Sequence, residues 1–400
     1  MAAFYFYKER NDADMAREFI VPGQILTGEG ALEMAAPTWK QFGSKALIVT
    51  GRVMVELGNC AKLEAVLDGQ NIGYAVFDRI PGEPTDQMIQ EGLALYQKEQ
   101  CDFLIALGGG SPIDSMKAIG SLVEHGGDIA DYMGKTIDVT MPKMVAIPTT
   151  AGTGSEATEV TIITDTRKDI KMLLKGRVLM PDQAVIDPQF TMTAPPKLTA
   201  ATGLDALCHC VEAYTSRKAQ TMTDTFAMSA VRRIFNYLPR AYGNGKDTEA
   251  RMQMSVASLE AGIAFNNASV TLIHGMSRPI GALFHVAHGI SNAMLIPVCL
   301  KFALPGAYPR FADLGRAIGV AGAEDQDRLA AEKFLEAVIA LTQKLDIPTL
   351  QGYGIDPQAF CGVIDKMAED AMASGSPQNT IREITKEDVV ELYKECIDRR

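Results

Sequence analysis

The chain of 400 residues has few cysteines and no pattern to them: seven, an odd number, scattered without regular spacing. That excludes a disulfide-stapled scaffold and leaves no thiolate constellation tight enough for a structural zinc site. Free thiols suit a reducing compartment, so a cytoplasmic location is expected. Runs of Lys/Arg are absent and the formal net charge is -11, which leaves no basic face for a phosphate backbone and argues against a nucleic-acid partner. Nowhere does the sequence approach the roughly 18 to 20 uninterrupted apolar residues that cross a bilayer, so no membrane partner is expected. The opening MAAFYFYKERNDAD is aromatic and then charged, which is not the make-up of a secretion signal. Histidine is scarcer still, with five in the chain.

What remains is ordinary globular composition, 47% hydrophobic and 22% charged, in a chain long enough for two domains. The first half alternates short β-rich runs with helical ones. Strands are expected at residues 45–51, 74–80, 103–109, 144–150 and 183–188, with helices at 86–100 and 112–124 between them. After Pro195-Pro196 the segments become long and amphipathic (198–214, 222–237, 247–266, 327–345, 357–372, 385–398) with almost no strand signal. The expected fold is therefore an α/β domain over residues 1–195 followed by an all-helical domain over 196–400.

Two segments of the α/β half carry a signal for an anion. Phe103 to Leu107 runs into Gly108-Gly109-Gly110-Ser111-Pro112, a buried strand, three glycines and a proline in the first helical turn. That arrangement aims backbone N–H groups and a helix N-terminus at a phosphate. A second strand-to-turn run, Ile147-Pro148-Thr149-Thr150-Ala151-Gly152-Thr153-Gly154-Ser155-Glu156, offers hydroxyls and glycines from another side. Where a dinucleotide fold often has an acid for the ribose 2'-hydroxyl, Gly51-Arg52 follows the strand KALIVT, a pairing that leans towards NADP(H).

The helical half carries a signal for a cation. In GLDALCHCVEAY, Asp205 and His209 are four residues apart and so share one helix face. A carboxylate and an imidazole buried together are costly unless something cationic compensates them. Two more of the histidines, His274 and His288, lie in the equally apolar TLIHGMSRPIGALFHVAHGISNAMLIP. One carboxylate and three imidazoles suit Fe(II), Zn(II) or a similar first-row ion. Cys208 and Cys210 point to either side of the Asp205/His209 face and read as core thiols, and His125 reads as a surface loop residue.

Together GGGSPIDSMKAI, PTTAGTGSEATEVTIITD, MPDQAVIDP, LTAATGLDALCHCVEAYTS and HGMSRPIGALFHVAHGISNAMLIP resemble the iron-containing (group III) alcohol dehydrogenase family, from about residue 20 to the C-terminal helices. The resemblance implies a Rossmann-like NAD(P)-binding domain and a helical metal-binding domain, the dehydroquinate synthase-like architecture, with the active site in the cleft between them. It implies iron ligands at Asp205, His209, His274 and His288, with Zn(II) as the alternative metal, and cofactor contacts from Gly109, Gly110, Ser111 and Asp114. Thr149, Thr150, Thr153, Ser155 and Lys171 would surround the pyrophosphate and nicotinamide of NAD(H) or NADP(H). The activity implied is reversible hydride transfer between nicotinamide and a short primary alcohol or aldehyde, in a homodimer or larger homo-oligomer. The four ligands bring a single formal negative charge, so a divalent ion should leave the site net positive.

Two positions depart from the family pattern. Gly51 stands where many members have Asp, and Arg278 stands where many have a histidine four residues after the third ligand. An arginine stays protonated at neutral pH and cannot relay a proton, but its guanidinium matches carboxylate or sulfonate oxygens. Arg278 is therefore expected to anchor the acidic tail of a short aldehyde, a semialdehyde or a sulfoacetaldehyde-like compound; a structural ion pair or contact with cofactor phosphates are the alternatives. His285 is the substitute candidate for proton relay. A transhydrogenase with tightly held cofactor and a dehydroquinate synthase or glycerol-1-phosphate dehydrogenase-like zinc enzyme are the rival activities.

Overall fold

The computed structural model describes residues 16–399, so the opening stretch read above as carrying no secretion signal lies outside the described residues. Its first half is built on a six-stranded parallel sheet. The strands are β1 (Gln24–Thr27), β2 (Lys45–Thr50), β3 (Gly73–Phe77), β4 (Phe103–Gly108), β5 (Lys143–Pro148) and β8 (Gln183–Ile186); β6 (Val160–Asp165) and β7 (Ile170–Lys175) form a separate antiparallel hairpin. The central strands are near-continuous apolar runs because both faces are covered. In β2, Leu47 and Val49 face one layer, with Leu104, Ala106, Ile89 and Ile119. Ala46 and Ile48 face the other, with Phe103, Ile105, Trp39 and Leu63. Helices α1 (Asn59–Gly69), α2 (Asp86–Lys98) and α3 (Gly110–Leu122) supply these layers.

The order β1-β8-β5-β4-β2-β3 decides where a ligand can sit. From β2 the chain moves outward to β3, returns past β2 to β4, and continues the opposite way to β5. The reversal opens a crevice at the C-terminal ends of β2 and β4, the usual ligand position of a doubly wound sheet. The Thr50 hydroxyl donates to the Leu107 carbonyl (2.7 Å) and holds those two strand ends together.

From Pro196 onward the chain is helical: α4 (Pro196–Tyr214), α5 (Thr221–Gly243), α6 (Thr248–Ala268), α7 (Leu272–Phe284), α8 (His288–Ala303), α9 (Tyr308–Ala317), α10 (Asp327–Lys344), α11 (Ile364–Ala373) and α12 (Lys386–Asp398), with short single-turn segments between them. Helix α4 is the centre of this half, buried without interruption from Gly203 to Tyr214. Ala157, Ala184 and Ile186 of the first half pack on Leu259 and Ile263 of α6. Beside them Gly154, at φ 63°, lies so near α6 that a Cβ on it would fall 2.5 Å from the Cα of Gly262. Glycine is therefore required at both positions for the loop and the helix to touch.

The α/β-plus-helical fold matches the expectation; several elements within it do not. Strand β3 ends at Phe77 rather than Ile80, and β1, β6 and β7 were not expected. The segment 357–372 is not one helix but Pro357–Cys361 and α11, broken at Gly362-Val363. Helix α8 gave no amphipathic signal because it is apolar nearly all round and buried accordingly, whereas α7, whose Ala282 and Leu283 are exposed, carries Gly275, Pro279 and Gly281, residues that read as helix breakers.

Candidate active site

Three helices deliver the metal-ligand set. Asp205 and His209 lie on α4, His274 is near the start of α7, and His288 opens α8. The chain turns through 102° between α6 and α7, with Ser269 at φ 72° in the break. That bend swings His274 back over α4. One ligand atom from each of the four side chains falls within 4.8 Å of all the others. The His274 and His288 Nε2 atoms are 3.5 and 3.8 Å from Asp205 Oδ1. Asp205, His209 and His274 are 2%, 4% and 3% exposed. The His288 side chain is 41% exposed, so the site opens to the cleft on its side.

The imidazoles are aimed from behind. His209 Nδ1 donates to the Gly152 carbonyl (3.3 Å), which ties the Thr149–Glu156 loop to a ligand, and its ring stacks on Phe265. His274 Nδ1 makes a short contact with Glu212 Oε2. Glu212 is itself buried, and its other oxygen accepts from the Thr271 hydroxyl (2.8 Å) and the Ile273 amide (2.6 Å). Both rings thus turn Nε2 towards the common point, the carboxylate–histidine–metal pattern that fixes a tautomer. The donor set fits a divalent first-row ion. Glu212 adds a second carboxylate, bonded to His274 from behind, while the cations whose charges reach His288 are Arg278 and Lys171.

Protonation follows from these contacts. Burial would raise Asp205, but the surrounding imidazoles hold it well below the usual carboxylate range. Burial lowers His209 to about 3 and His288 to about 4. Burial pulls His274 down as well, yet Glu212 and Asp205 outweigh it and raise the ring to about 9. Metal-free protein therefore carries a proton on His274 across neutral pH, and an incoming ion must displace it. Raising the pH removes this competitor, so the apparent affinity of metal-free protein for Zn(II) should rise about tenfold per pH unit between about pH 6 and 8. Calorimetric titration in buffers of different ionisation enthalpy should find close to one proton released per ion. A pH-independent affinity with no proton release would contradict this reading.

The cofactor crevice lies at the strand ends. Gly109 caps α3 in an extended conformation and Gly110 begins it, aiming the helix N-terminus into the crevice. A Cβ on Gly109 would lie 3.2 Å from the Thr150 hydroxyl, and one on Gly110 would lie 3.1 Å from the Thr153 methyl. Gly109, Gly110, Ser111, Thr150, Thr153 and Ser155 are all half-open, whereas Thr149 is buried and its amide donates to the Gly108 carbonyl (2.9 Å). The Thr150 hydroxyl is buried with no partner, an orphan that a ligand oxygen would satisfy. These features fit a dinucleotide pyrophosphate.

Other sequence-predicted residues have different surroundings. The Asp114 carboxylate accepts from the Ile162 amide (3.0 Å) and joins α3 to β6; burial raises it to about 6. A Cβ on Gly51 would lie 2.7 Å from the Ile80 carbonyl, which keeps an aspartate out. Arg52 is exposed and pairs with Asp78 (2.6 Å) and Glu56 (3.6 Å). Lys171 reaches across from β7, pairs with Glu83 (2.5 Å) and approaches Gly281 of α7. His285 stands apart: it is exposed at φ 53°, ψ 33°, where it ends α7, and no hydrogen-bonded path leads from it to the four ligands among the described residues. Cys208 and Cys210 are core thiols, and His125 is exposed.

Sequence reasoning passed over three residues. Glu212 lies in the same helical stretch as Asp205 and His209, but a lone acid near a helix end carries no signal of its own. Asn292, on α8 one turn beyond His288, has its Nδ2 against Asp205 (2.7 Å), His274 (3.0 Å) and His288 (3.2 Å). Lys117 is fully buried and donates to the Ser155, Thr158 and Val160 carbonyls at 2.7 to 3.0 Å, clamping the crevice loop onto α3.

The comparisons with known proteins agree with this arrangement. Residues 22–188 match the family model described as iron-containing alcohol dehydrogenase, and residues 199–397 match the C-terminal model of the same family. The NAD-dependent methanol dehydrogenase of Bacillus methanolicus is 34% identical over 385 residues, 95% of this chain and 99% of that protein. A crystal structure of 1,3-propanediol oxidoreductase superposes with a TM-score of 0.92 at 33% identity, covering 96% of this chain and 100% of that one. The sulfoacetaldehyde reductase of Bifidobacterium kashiwanohense, solved with NAD+, superposes at 0.87 with 26% identity and the same coverage.

Proposed function

The chain belongs to the iron-containing alcohol dehydrogenase family, and from that premise we propose that it interconverts a short primary aldehyde and its alcohol, with preference for aldehydes bearing an acidic tail. A divalent ion held by Asp205, His209, His274 and His288 supplies the Lewis acid that polarises the substrate oxygen, and NAD(P)(H) supplies or accepts hydride. The chain's own residues bind and orient. The α3 N-terminus and the Thr149–Ser155 loop take the pyrophosphate, the half-exposed His288 side admits substrate, and the buried α4 face keeps water from the remaining ligands.

The observation that carries the acidic-tail preference is Arg278. It lies one turn after His274 and is largely withdrawn from water, which lowers its pKa while Glu212 partly opposes the shift. Its single hydrogen bond is to the Ser376 hydroxyl (3.0 Å), with no ion-pair partner among the described residues. A guanidinium held in this way is short of an anion. The known sulfoacetaldehyde reductase of similar fold supports the reading. Replacing Arg278 by alanine should raise KM for succinic semialdehyde and sulfoacetaldehyde about 10- to 100-fold, the worth of one charged hydrogen-bonded contact, while butanal changes less than about threefold. If the wild-type enzyme favours ethanol, butanol and propanediol over every acidic analogue and the substitution leaves those ratios alone, the preference is wrong.

A further inference from the structure

Arg278 meets the segment that joins α11 to α12, and that segment is held firmly against the start of α7. The Asn379 Nδ2 group donates to the Ser269 hydroxyl (3.0 Å) and the Val270 carbonyl (3.1 Å), bracing the break between α6 and α7. The Arg217 backbone amide donates to the Asn379 carbonyl (2.7 Å), and its Nε donates to the Thr380 carbonyl (2.7 Å). Pro377 presses on α7 just after His274, where a Cβ on Gly275 would fall 2.6 Å from the proline ring. These contacts fix Ser376, which is 5% exposed, beside Arg278. The Ser376 hydroxyl accepts from Arg278 Nη1 (3.0 Å). A guanidinium offers no acceptor, so this contact leaves the serine's own hydrogen unused. Among the described residues no acceptor takes it. Two adjacent donors, one cationic and one neutral, are therefore held largely out of water with no anion between them.

We propose that Ser376 is a second binding residue for the substrate's acidic tail, donating its hydroxyl hydrogen to an anion that Arg278 also holds. The inference rests on the acidic-tail reading of Arg278 and deepens it: the anion site is a pair of donors brought together from two distant segments of the chain. The ligand class is a short aldehyde or alcohol ending in a carboxylate or sulfonate, whose several oxygens can accept from both donors at once. His274 and Arg278 are four residues apart and share one face of α7, so the tail is held on the side that carries the metal ligand. A hydroxyl serves here where a carboxylate would not, because an acid beside Arg278 would neutralise it and repel the tail.

The test measures KM and kcat for succinic semialdehyde, sulfoacetaldehyde and butanal with the full-length, metal-reconstituted enzyme and its variants. Ser376→Ala should raise KM for the acidic aldehydes about tenfold, the scale of one hydrogen bond to a charged group. Their kcat values, and both constants for butanal, should stay within about threefold of wild type, as expected when a binding contact is lost. A rise confined to one of the two acidic aldehydes supports the proposal and assigns the site to that tail. A residue that merely orients the guanidinium loses its effect once the guanidinium is gone, so the deciding comparison is made in the Arg278→Ala background. There Ser376→Ala should still raise KM for an acidic aldehyde by at least about threefold, part of the same hydrogen bond. No further rise in that background, or no rise in the wild-type one, overturns the proposal. Should the alanine variant fail to fold, Ser376→Cys, close to serine in size but only a weak donor, carries the same expectations. An enzyme with no preference for acidic aldehydes, and unaffected by Arg278→Ala, would defeat the Arg278 reading and the proposal with it.

Discussion

Replacing His274 with alanine is expected to leave the protein folded but nearly metal-free, and to lower kcat/KM by roughly three to four orders of magnitude, the loss of several kcal/mol of Lewis-acid stabilisation. The imidazole bridges Glu212 to the ligand cluster, so its removal vacates a ligand position and disconnects Glu212 from the site. The crevice at β2, β4 and β5 is built by other residues and should keep its affinity for NADH within about threefold, as no binding energy for the pyrophosphate comes from α7. Metal analysis and a fluorescence titration with NADH measure the two halves of this separately. Full metal content with full turnover in the variant would show that the ligand assignment is wrong.

Changes at Glu212 should affect stability as well as chemistry. Its carboxylate is buried and satisfies the Thr271 hydroxyl, the Ile273 amide and His274 together at the bend between α6 and α7. Burial would raise its pKa, but His274 and these hydrogen bonds hold it down, so the native state keeps it charged. Glu212→Ala leaves those donors unpaired in the interior and should cost about 3 to 5 kcal/mol in the metal-free protein, seen as a lower urea midpoint. Glu212→Gln keeps most of the hydrogen bonds and loses the charge. It should unfold close to wild type yet bind Zn(II) about 10- to 100-fold more weakly, because the imidazole it supports becomes less basic. Equal metal affinity in Glu212→Gln would mean that the carboxylate is only a structural brace.

The parts of this site legible beforehand were those that break a local pattern. Asp205 and His209 stand out because two polar groups share one face of a helix otherwise bound for a core, and His274 and His288 because histidine is so scarce in apolar sequence. Glu212, Asn292 and Lys117 break no pattern, since an acid, an amide or a lysine on a helix is ordinarily solvated, and only the packed fold reveals each as buried. The same physics separates the elements. Strands β2, β4 and β5 were legible because burial on both faces demands continuous apolar runs. The β6–β7 hairpin mixes threonine, lysine and aspartate with aliphatic residues and turns at Asp169, at φ 54°, where neither Gly nor Pro marks the bend. Helix α8 hid for the opposite reason: buried nearly all round, it has no polar face to set a period.

All of the proposed chemistry depends on one ion shared by residues from three helices. The direct measurement is anomalous diffraction from crystals of protein reconstituted anaerobically with Fe(II) or Zn(II). The expected result is a single strong peak per chain within about 2.0 to 2.3 Å of Asp205 Oδ1 and of the imidazole nitrogens of His209, His274 and His288. A peak elsewhere in the molecule, or none in protein that binds NADH normally, would contradict it.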